Sequence, residues 1–206
     1  MSSTEAAAQA GPNRAMRADA RRNYERLLTA ALAAFSEDGA DTTSLEEIAR
    51  RAGVGIGTLY RHFPTRQALL EAVYRDQVEA LRVRAAELMR ADSPGAALAD
   101  WLRALVTFGG TKRSLTTALL ETLDKDSEVL SSSGPVLRES TTRLLERAQQ
   151  AGAARTDISG SDVLRLTHGV GMAADWAPGD PGQAERMLRL VIDGLLTRSE
   201  TEVPQE

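Results

Sequence analysis

The stretch TTSLEEIARRAGVGIGTLYRHFPTR at residues 42–66 decides the fold. Its apolar residues fall at helical spacing in two short runs, one on either side of Gly53. Thr43 with Glu46, or Ser44 with Glu47, has the spacing of a capping box that begins the first run. Two short helices joined by a tight turn that contains glycine form a helix-turn-helix. The residues expected to hold this unit together are Leu45, Ile48, Ala49, Val54, Leu59 and Phe63.

Helical patterns also flank this motif. Before it, an apolar face predicts a helix from Asp19 that ends at Gly39. After it, Pro64 stops the second short helix, and Thr65 can cap a long helix that reaches about Arg90. The face of the preceding helix consists of Tyr24, Leu27, Leu28, Ala31 and Phe35.

The remainder of the chain predicts further helices and no strand. Their expected ranges are about 96–110, 113–124, 135–151, 161–176 and 182–198, with breaks at Gly109-Gly110, Gly152 and the Gly- and Pro-rich segments between them. The sequence therefore predicts an all-α fold of about nine helices. Residues 1–18 are expected to form a flexible basic arm and residues 199–206 a frayed tail.

Composition excludes several classes of site. The 206 residues contain no cysteine, which excludes disulfides, thiolate catalysis and thiolate-bound zinc, and the two histidines are too few for a multi-histidine metal site. No cofactor is expected. No apolar run approaches the roughly 18 residues that cross a bilayer, and the N-terminus lacks the apolar segment of a secretory signal. The protein is expected to be cytoplasmic, with no membrane partner.

Positive charge is concentrated near the N-terminus, although the net charge is −4. Arg14, Arg17, Arg21 and Arg22 fall within nine residues that contain one acid, Asp19. Such an arm can reach DNA phosphates or a minor groove. A solvated charged tail is the alternative.

The residues from Leu45 to Leu70 resemble the DNA-binding domain of TetR-type transcriptional regulators. The resemblance covers about residues 20–75 and rests on a set of short matches rather than on any one of them. These are Ile48-Ala49, Ala52-Gly53-Val54, Gly57-Thr58-Leu59-Tyr60, His62-Phe63 and Ala68-Leu69-Leu70. It implies a three-helix DNA-binding head at residues 19–64 and a ligand-binding and dimerisation body at residues 65–198.

The resemblance also implies DNA contacts. Tyr60, His62 and Arg66 are expected to meet phosphates, and Thr43 is expected to cap the second helix and present its hydroxyl to another. Thr58 and Arg61 are candidates near base edges, where Arg61 could bind guanine O6 and N7; a phosphate contact is the alternative for Arg61, and a solvated surface histidine for His62. The full expected set is Thr43, Gly57, Thr58, Tyr60, Arg61, His62, Arg66, Arg21 and Arg22.

Two glycines make the second helix of the motif unusual. Gly55 stands where many members of the family have Ser, Thr or Asn, so the helix lacks a side-chain cap. Gly57 matches the family, costs about 1 kcal/mol relative to Ala in a helix interior, and lets the backbone approach DNA closely. We therefore expect a soft recognition helix that tightens on DNA.

The body is expected to form a homodimer and to bind a small-molecule effector. Apolar stripes on the last two helices predict the dimer interface, although both stripes could instead be buried within one protomer; its residues are Leu166, Val170, Leu188, Val191, Ile192 and Leu195. For each apolar candidate of the effector pocket, ordinary core packing is the alternative. The pocket candidates are Trp101, Leu105, Phe108, Leu119, Leu123, Leu137, His168, Met172 and Trp176.

The favoured function is a ligand-responsive regulator, most simply a repressor that binds a palindromic double-stranded DNA operator and is released by its effector. No catalytic residues are assigned, since the chain has no Gly-rich phosphate loop and no GxSxG. The alternative is a helical carrier or enzyme with an incidental helical head. Steep loss of DNA affinity with rising salt would distinguish the regulator.

Overall fold

The computed structural model describes residues 3–37, 39–40, 42–120, 133–174, 180 and 182–197. Within these ranges the chain forms eight α-helices and no strand, which confirms the all-α prediction. The helices are α1 (Ser3–Glu37), α2 (Leu45–Ala52), α3 (Ile56–His62), α4 (Arg66–Leu88), α5 (Pro94–Leu120), α6 (Ser133–Gln150), α7 (Gly160–Ala174) and α8 (Gln183–Leu195). None of the helices in the described part of the chain combines the length and apolar character that a bilayer crossing needs.

The chain divides into two compact units. The first comprises Met1–Asp76 and Ser114–Leu123, and the second comprises Gln77–Arg113 and Asp124–Glu206. Helix α4 begins in the first unit and ends in the second.

The first unit is built on the apolar faces that the sequence predicted. Residues Leu27, Ala31 and Phe35 of α1 are buried, as are Ile48 of α2 and Leu59 of α3. Burial of a large apolar side chain contributes roughly 1.5–3 kcal/mol. This core holds two helices of only 8 and 7 residues, which are too short to be stable alone in water.

Helix α1 begins earlier than the sequence predicted. Residues 3–18 are helical, although an irregular arm was expected there and the helix was predicted to start at Asp19. The segment is rich in alanine, the best helix former. That propensity outweighs the low helix propensity of Gly11 and Pro12.

Helix α5 also runs through a predicted break. The pair Gly109-Gly110 was expected to end one helix and begin another, but α5 is continuous from Pro94 to Leu120. A glycine costs about 1 kcal/mol in a helix interior. Buried residues on both sides of the pair, including Phe108 and Leu115, offset that cost through packing.

Buried polar groups join the helices of the second unit. The indole Nε1 of Trp101 donates to Thr141 Oγ1 at 2.9 Å, and that hydroxyl donates to the Leu137 carbonyl at 2.7 Å. The Arg147 guanidinium donates to the carbonyls of Leu88 and Ala91. Arg147 on α6 therefore provides hydrogen-bond donors to carbonyls at and just after the C-terminal end of α4.

Candidate functional site

Helix α2 is capped by Ser44. This residue is extended, and its hydroxyl accepts the Glu47 N–H at 3.1 Å. The sequence left Thr43 and Ser44 open as caps, and the structure selects Ser44. The predicted cap at Thr43 is wrong because Thr43 is buried and its hydroxyl donates to the Gly39 carbonyl at 3.0 Å. Its hydroxyl therefore faces the interior of the unit and not a phosphate.

The turn between α2 and α3 requires glycine at position 53. Gly53 has a φ of 63°, and its N–H donates to the Arg50 carbonyl while the Val54 N–H donates to the Ala49 carbonyl. This pair of bonds is the Schellman motif. A Cβ at position 53 would lie 2.5 Å from Nη2 of Arg26, whose side chain crosses the turn. The turn thus fixes how α3 leaves α2.

Helix α3 buries one face and exposes the other. Leu59 and Phe63 are buried, as predicted. Gly57 and Arg61 are exposed, Tyr60 is 45% exposed, and Thr58 is half-buried. Together with His62, these make five predicted DNA-contacting residues on one helix of seven residues. An exposed helix face of this kind can enter a major groove.

The charges around α3 leave Arg61 available. Arg50 and Arg51 each lie 2.7 Å from Glu47 Oε1, and these hydrogen bonds lower the pKa of Glu47 to about 2. Arg51 also lies 2.7 Å from Glu37 Oε2, so both α2 arginines have carboxylate partners at physiological pH. Arg61, in contrast, makes no ion pair within the described ranges of the chain. A guanidinium without an internal partner can bind a base edge or a phosphate at no cost in internal ion pairs.

The His62 ring packs against α1. Its centroid lies 5.8 Å from that of Tyr24 in an edge-on arrangement and 6.2 Å from that of Phe63. His62 is half-buried, so part of the ring still reaches solvent beside Tyr60. Tyr24 was assigned to the buried face of α1, but it is 36% exposed. Its packing on His62 gives it a role in orienting the ring that helical periodicity could not reveal.

The Arg66 side chain turns inward. Its guanidinium donates to the Thr43 carbonyl at 2.6 Å and to the Ala40 carbonyl, and it lies 5.9 Å from the centroid of the Phe35 ring. These carbonyls belong to the loop between α1 and α2. In this structure Arg66 donates to that loop and holds it against the start of α4, and the phosphate contact of Arg66 stays a prediction.

Arg21 and Arg22 lie on the exposed surface of α1. Arg21 pairs with Glu25 at 2.8 Å, and Arg22 pairs with Asp19 at 3.2 Å. Exposed pairs of this kind contribute about 0–1 kcal/mol. Both cations can therefore exchange their carboxylate for a phosphate at low cost.

Replacing Gly57 by alanine is expected to separate stability from DNA affinity. A Cβ at position 57 meets nothing within 4 Å, so the variant should gain about 1 kcal/mol from helix propensity. The same methyl group stands on the face that would approach DNA, and DNA affinity should fall. Thermal unfolding and fluorescence anisotropy measure the two effects. Gly134→Ala, in equally open surroundings on α6, is the control and should leave DNA affinity unchanged; an unaltered affinity of Gly57→Ala would contradict the expected close approach.

Four of the predicted effector-pocket residues line one small cavity. Leu105 and Phe108 of α5, Leu137 of α6 and His168 of α7 surround about 60 Å³. Trp101 does not line this cavity but lies in the core, and Met172 is 46% exposed on the surface. The Leu119 side chain, Leu123 and Trp176 lie outside the described residues.

The predicted dimer residues divide into two groups. Val170, Leu188, Ile192 and Leu195 are buried within the protomer, because α7 packs against α6 and α8. These four residues follow the alternative interpretation, in which the stripe is buried within one protomer. Leu166 is 49% exposed, Val191 is half-buried, and the neighbouring Leu190, which was not predicted, is 74% exposed. These last three residues line a surface groove of about 180 Å³ between α7 and α8.

Comparison with known proteins gives two family matches. Residues 27–73 match the model described as bacterial regulatory proteins of the tetR family. Residues 93–197 match the model described as the C-terminal domain of SbtR-like transcriptional regulators. The first match contains all of α2 and α3, so the family resemblance and the exposed α3 face coincide.

Several known proteins match this chain over most of its length. The HTH-type transcriptional regulator UidR of Escherichia coli (strain K12) is 28% identical over 200 residues, which cover 89% of this chain and 98% of that protein. The crystal structure of the TetR transcriptional regulator SCO0520 from Streptomyces coelicolor superposes with a TM-score of 0.73 at 35% identity, covering 85% of this chain and 99% of that one. A TetR regulatory protein from Mycobacterium vanbaalenii gives a TM-score of 0.72 at 34% identity, covering 88% and 99%.

Proposed function

The chain belongs to the TetR family of DNA-binding transcriptional regulators, and on that premise we propose that it is a repressor. It binds a palindromic operator as a homodimer and is released from it by a small-molecule effector. It acts by binding and not by catalysis. DNA binding is assigned to residues 19–64, and effector binding and dimerisation are assigned to residues 65–198.

The observation that carries this proposal is the exposed face of α3. Gly57, Tyr60 and Arg61 are exposed on it, while the opposite face is anchored by Leu59 and Phe63. Arg61 reads a base edge, Tyr60 and His62 bind phosphates, and Thr58 lies at the edge of the contact. The N-terminus of α2, with Ser44 as its cap, replaces Thr43 as the phosphate contact there. Arg21 and Arg22 add contacts from α1.

Dimerisation is assigned to the exposed apolar surface of α7 and α8. A contiguous exposed apolar patch marks an interaction surface, and Leu190, which is 74% exposed, lines one groove with Leu166 and Val191. A two-fold axis through this surface brings the same residues of both protomers together. Two α3 helices related by such an axis match a palindromic site with half-sites about one DNA turn apart.

Replacing Leu190 by glutamate is expected to convert the dimer to a monomer. The substitution places a charge in the centre of the apolar contact, where it lacks a partner, and it leaves the protomer core unchanged because Leu190 is on the surface. Size-exclusion chromatography with light scattering measures the mass. Val83→Glu is the matched control, since Val83 is also an exposed apolar residue but lies on α4. A dimer that survives Leu190→Glu would place the interface elsewhere.

Effector binding is assigned to the cavity between α5, α6 and α7. Its volume of about 60 Å³ is well below the 300–1,000 Å³ of typical small-molecule sites. The effector-bound state must therefore be more open than this structure. An effector that binds only the open state shifts the protein toward it, and α4, which runs through both units, is the element through which the change reaches the head.

The test is fluorescence anisotropy with DNA from immediately upstream of the gene, compared with scrambled DNA over a series of salt concentrations. We expect selective binding by a dimer that weakens steeply as salt rises. Equal binding to both DNAs would call for selection from random sequences. Failure of every selected sequence to bind would overturn the proposal.

A further inference from the structure

A second groove in the Gln77–Arg113 and Asp124–Glu206 unit lies between the C-terminal half of α4 and the first half of α6. Its volume is about 400 Å³, which is within the range of small-molecule sites. It shares no lining residue with the cavity between α5, α6 and α7. The proposed function therefore makes no use of it.

The rim of this groove is positively charged. Three arginines line it, Arg82, Arg90 and Arg143, together with one carboxylate, Glu139. Arg82 is held by Glu79 through two hydrogen bonds of 2.6 and 2.7 Å. Arg143 lies 3.7 Å from Glu139, which is longer than a hydrogen bond. The Arg90 side chain has no ion pair within the part of the chain that the structure describes. Arg90 is therefore available to an incoming anion, and Arg143 can exchange its exposed Glu139 partner for that anion at low cost.

The floor of the groove is apolar. It is formed by Ala85 of α4, by Met89 immediately after α4, and by Val136 of α6. Ala85 is buried, and Met89 and Val136 are half-buried. Methionine adapts its shape to a ligand because its side chain is unbranched and flexible. An apolar floor beneath two available cations fits a molecule that has a short aliphatic part and one negative charge.

The two walls of the groove are tied together by Arg147. This residue lies one turn after Arg143 on α6, and its guanidinium donates to the Leu88 and Ala91 carbonyls at the end of α4. A ligand bound between Arg90 and Arg143 would bridge the same two helices. Its binding is therefore expected to raise the thermal stability of the protein.

We propose that the groove between α4 and α6 binds a small aliphatic carboxylate, with Arg90 and Arg143 holding the carboxylate and Met89 and Val136 covering the chain. The guanidinium forks match carboxylate geometry. This site is separate from the operator-binding face, and it can be tested on the full-length protein without DNA.

The test uses octanoate as the probe, with octan-1-ol and inorganic phosphate as comparison ligands, in isothermal titration calorimetry. We expect octanoate to bind with a Kd of about 1 mM or tighter, and both comparison ligands to bind at least about 10-fold more weakly. If octan-1-ol binds as tightly as octanoate, the arginines do not contribute to binding. Equal binding of phosphate would remove the role of the apolar floor. Absence of octanoate binding would overturn the site altogether.

Variants locate the bound probe. Arg90→Gln and Arg143→Gln should each weaken octanoate binding by about 10-fold, and Ala86→Leu, which adds bulk at an exposed position in the groove, should also weaken it. Arg138→Gln is the matched control, because Arg138 is an exposed arginine on α6 outside the groove lining. If Arg138→Gln has the same effect as Arg90→Gln, or if neither groove variant changes the affinity, the proposal is wrong. Operator binding by these variants is a separate measurement, so failure here leaves the regulator proposal untouched.

Discussion

Replacing Arg61 by alanine is expected to relax the base preference at one position of each operator half-site, at a cost of about 1–3 kcal/mol per half-site. Arg61 is exposed on α3 and has no ion pair in the described ranges, so its removal breaks no ion pair there. The stability of the protein should stay the same. The affinity for DNA that lacks the operator should change little, because non-specific binding depends on contacts with phosphates.

The measurement is anisotropy with operators that carry each of the four base pairs at each position of the half-site. Arg61→Lys is an informative control because it keeps the charge but loses the bidentate geometry that reads guanine. Tyr60→Phe and His62→Ala provide the opposite pattern, since loss of a phosphate contact should weaken binding about equally on all sequences. If Arg61→Ala weakens every sequence alike, Arg61 is a phosphate contact and another residue reads the bases.

The helix-turn-helix could be predicted because its determinants are local. The spacing of Ile48, Leu59 and Phe63 indicates which faces are buried, and all three are buried in the structure. The left-handed turn demands a residue such as Gly53. The exposed face of α3 then follows from the buried one, and most of the candidate DNA interface needed no information beyond residues 42–66.

The directions of long side chains could not be predicted in the same way. Arg66 follows Thr65 at the start of a helix, and nothing in the neighbouring sequence indicates a partner for its side chain within the protein. Its partners are carbonyls of Ala40 and Thr43, more than twenty residues earlier in the chain. Only the tertiary fold brings these acceptors within reach of the guanidinium. For the same reason, the burial of Thr43 could not be read from its capping-box spacing.

The predicted dimer residues show a different limit. Helical periodicity identifies apolar residues, but it does not say whether the same chain or a partner covers them. Leu188 and Ile192 are buried by their own protomer, whereas Leu190 between them is exposed. When an apolar stripe is wider than the contact with one neighbouring helix, part of it is buried and the rest stays exposed. Periodicity therefore identified the apolar residues of these helices, but it did not separate those buried within the protomer from those left exposed.

Replacing Arg66 by alanine is expected to destabilise the protein by about 2 kcal/mol or more, because two hydrogen bonds from a charged donor are lost. The guanidinium of Arg66 joins α4 to the Ala40 and Thr43 carbonyls and lies beside the Phe35 ring. In a chain of this length the expected fall in Tm is about 4–8 °C. Urea unfolding followed by circular dichroism measures the free energy.

Two further variants decide between this structural role of Arg66 and the phosphate contact expected from the family. Arg66→Lys keeps the charge but cannot serve both carbonyls at once, so its stability should lie between those of the parent and Arg66→Ala. Arg61→Ala removes the same charge from an exposed site and should leave stability unchanged, which controls for the general effect of losing a cation. If Arg66→Ala keeps full stability and loses only salt-dependent DNA affinity, the side chain reaches the phosphate in the complex. A loss of stability in the absence of DNA, restored in part by lysine, would instead show that Arg66 fixes the loop that precedes α2. Any effect of Arg66→Ala on DNA binding would then be transmitted through that loop to the N-terminus of α2.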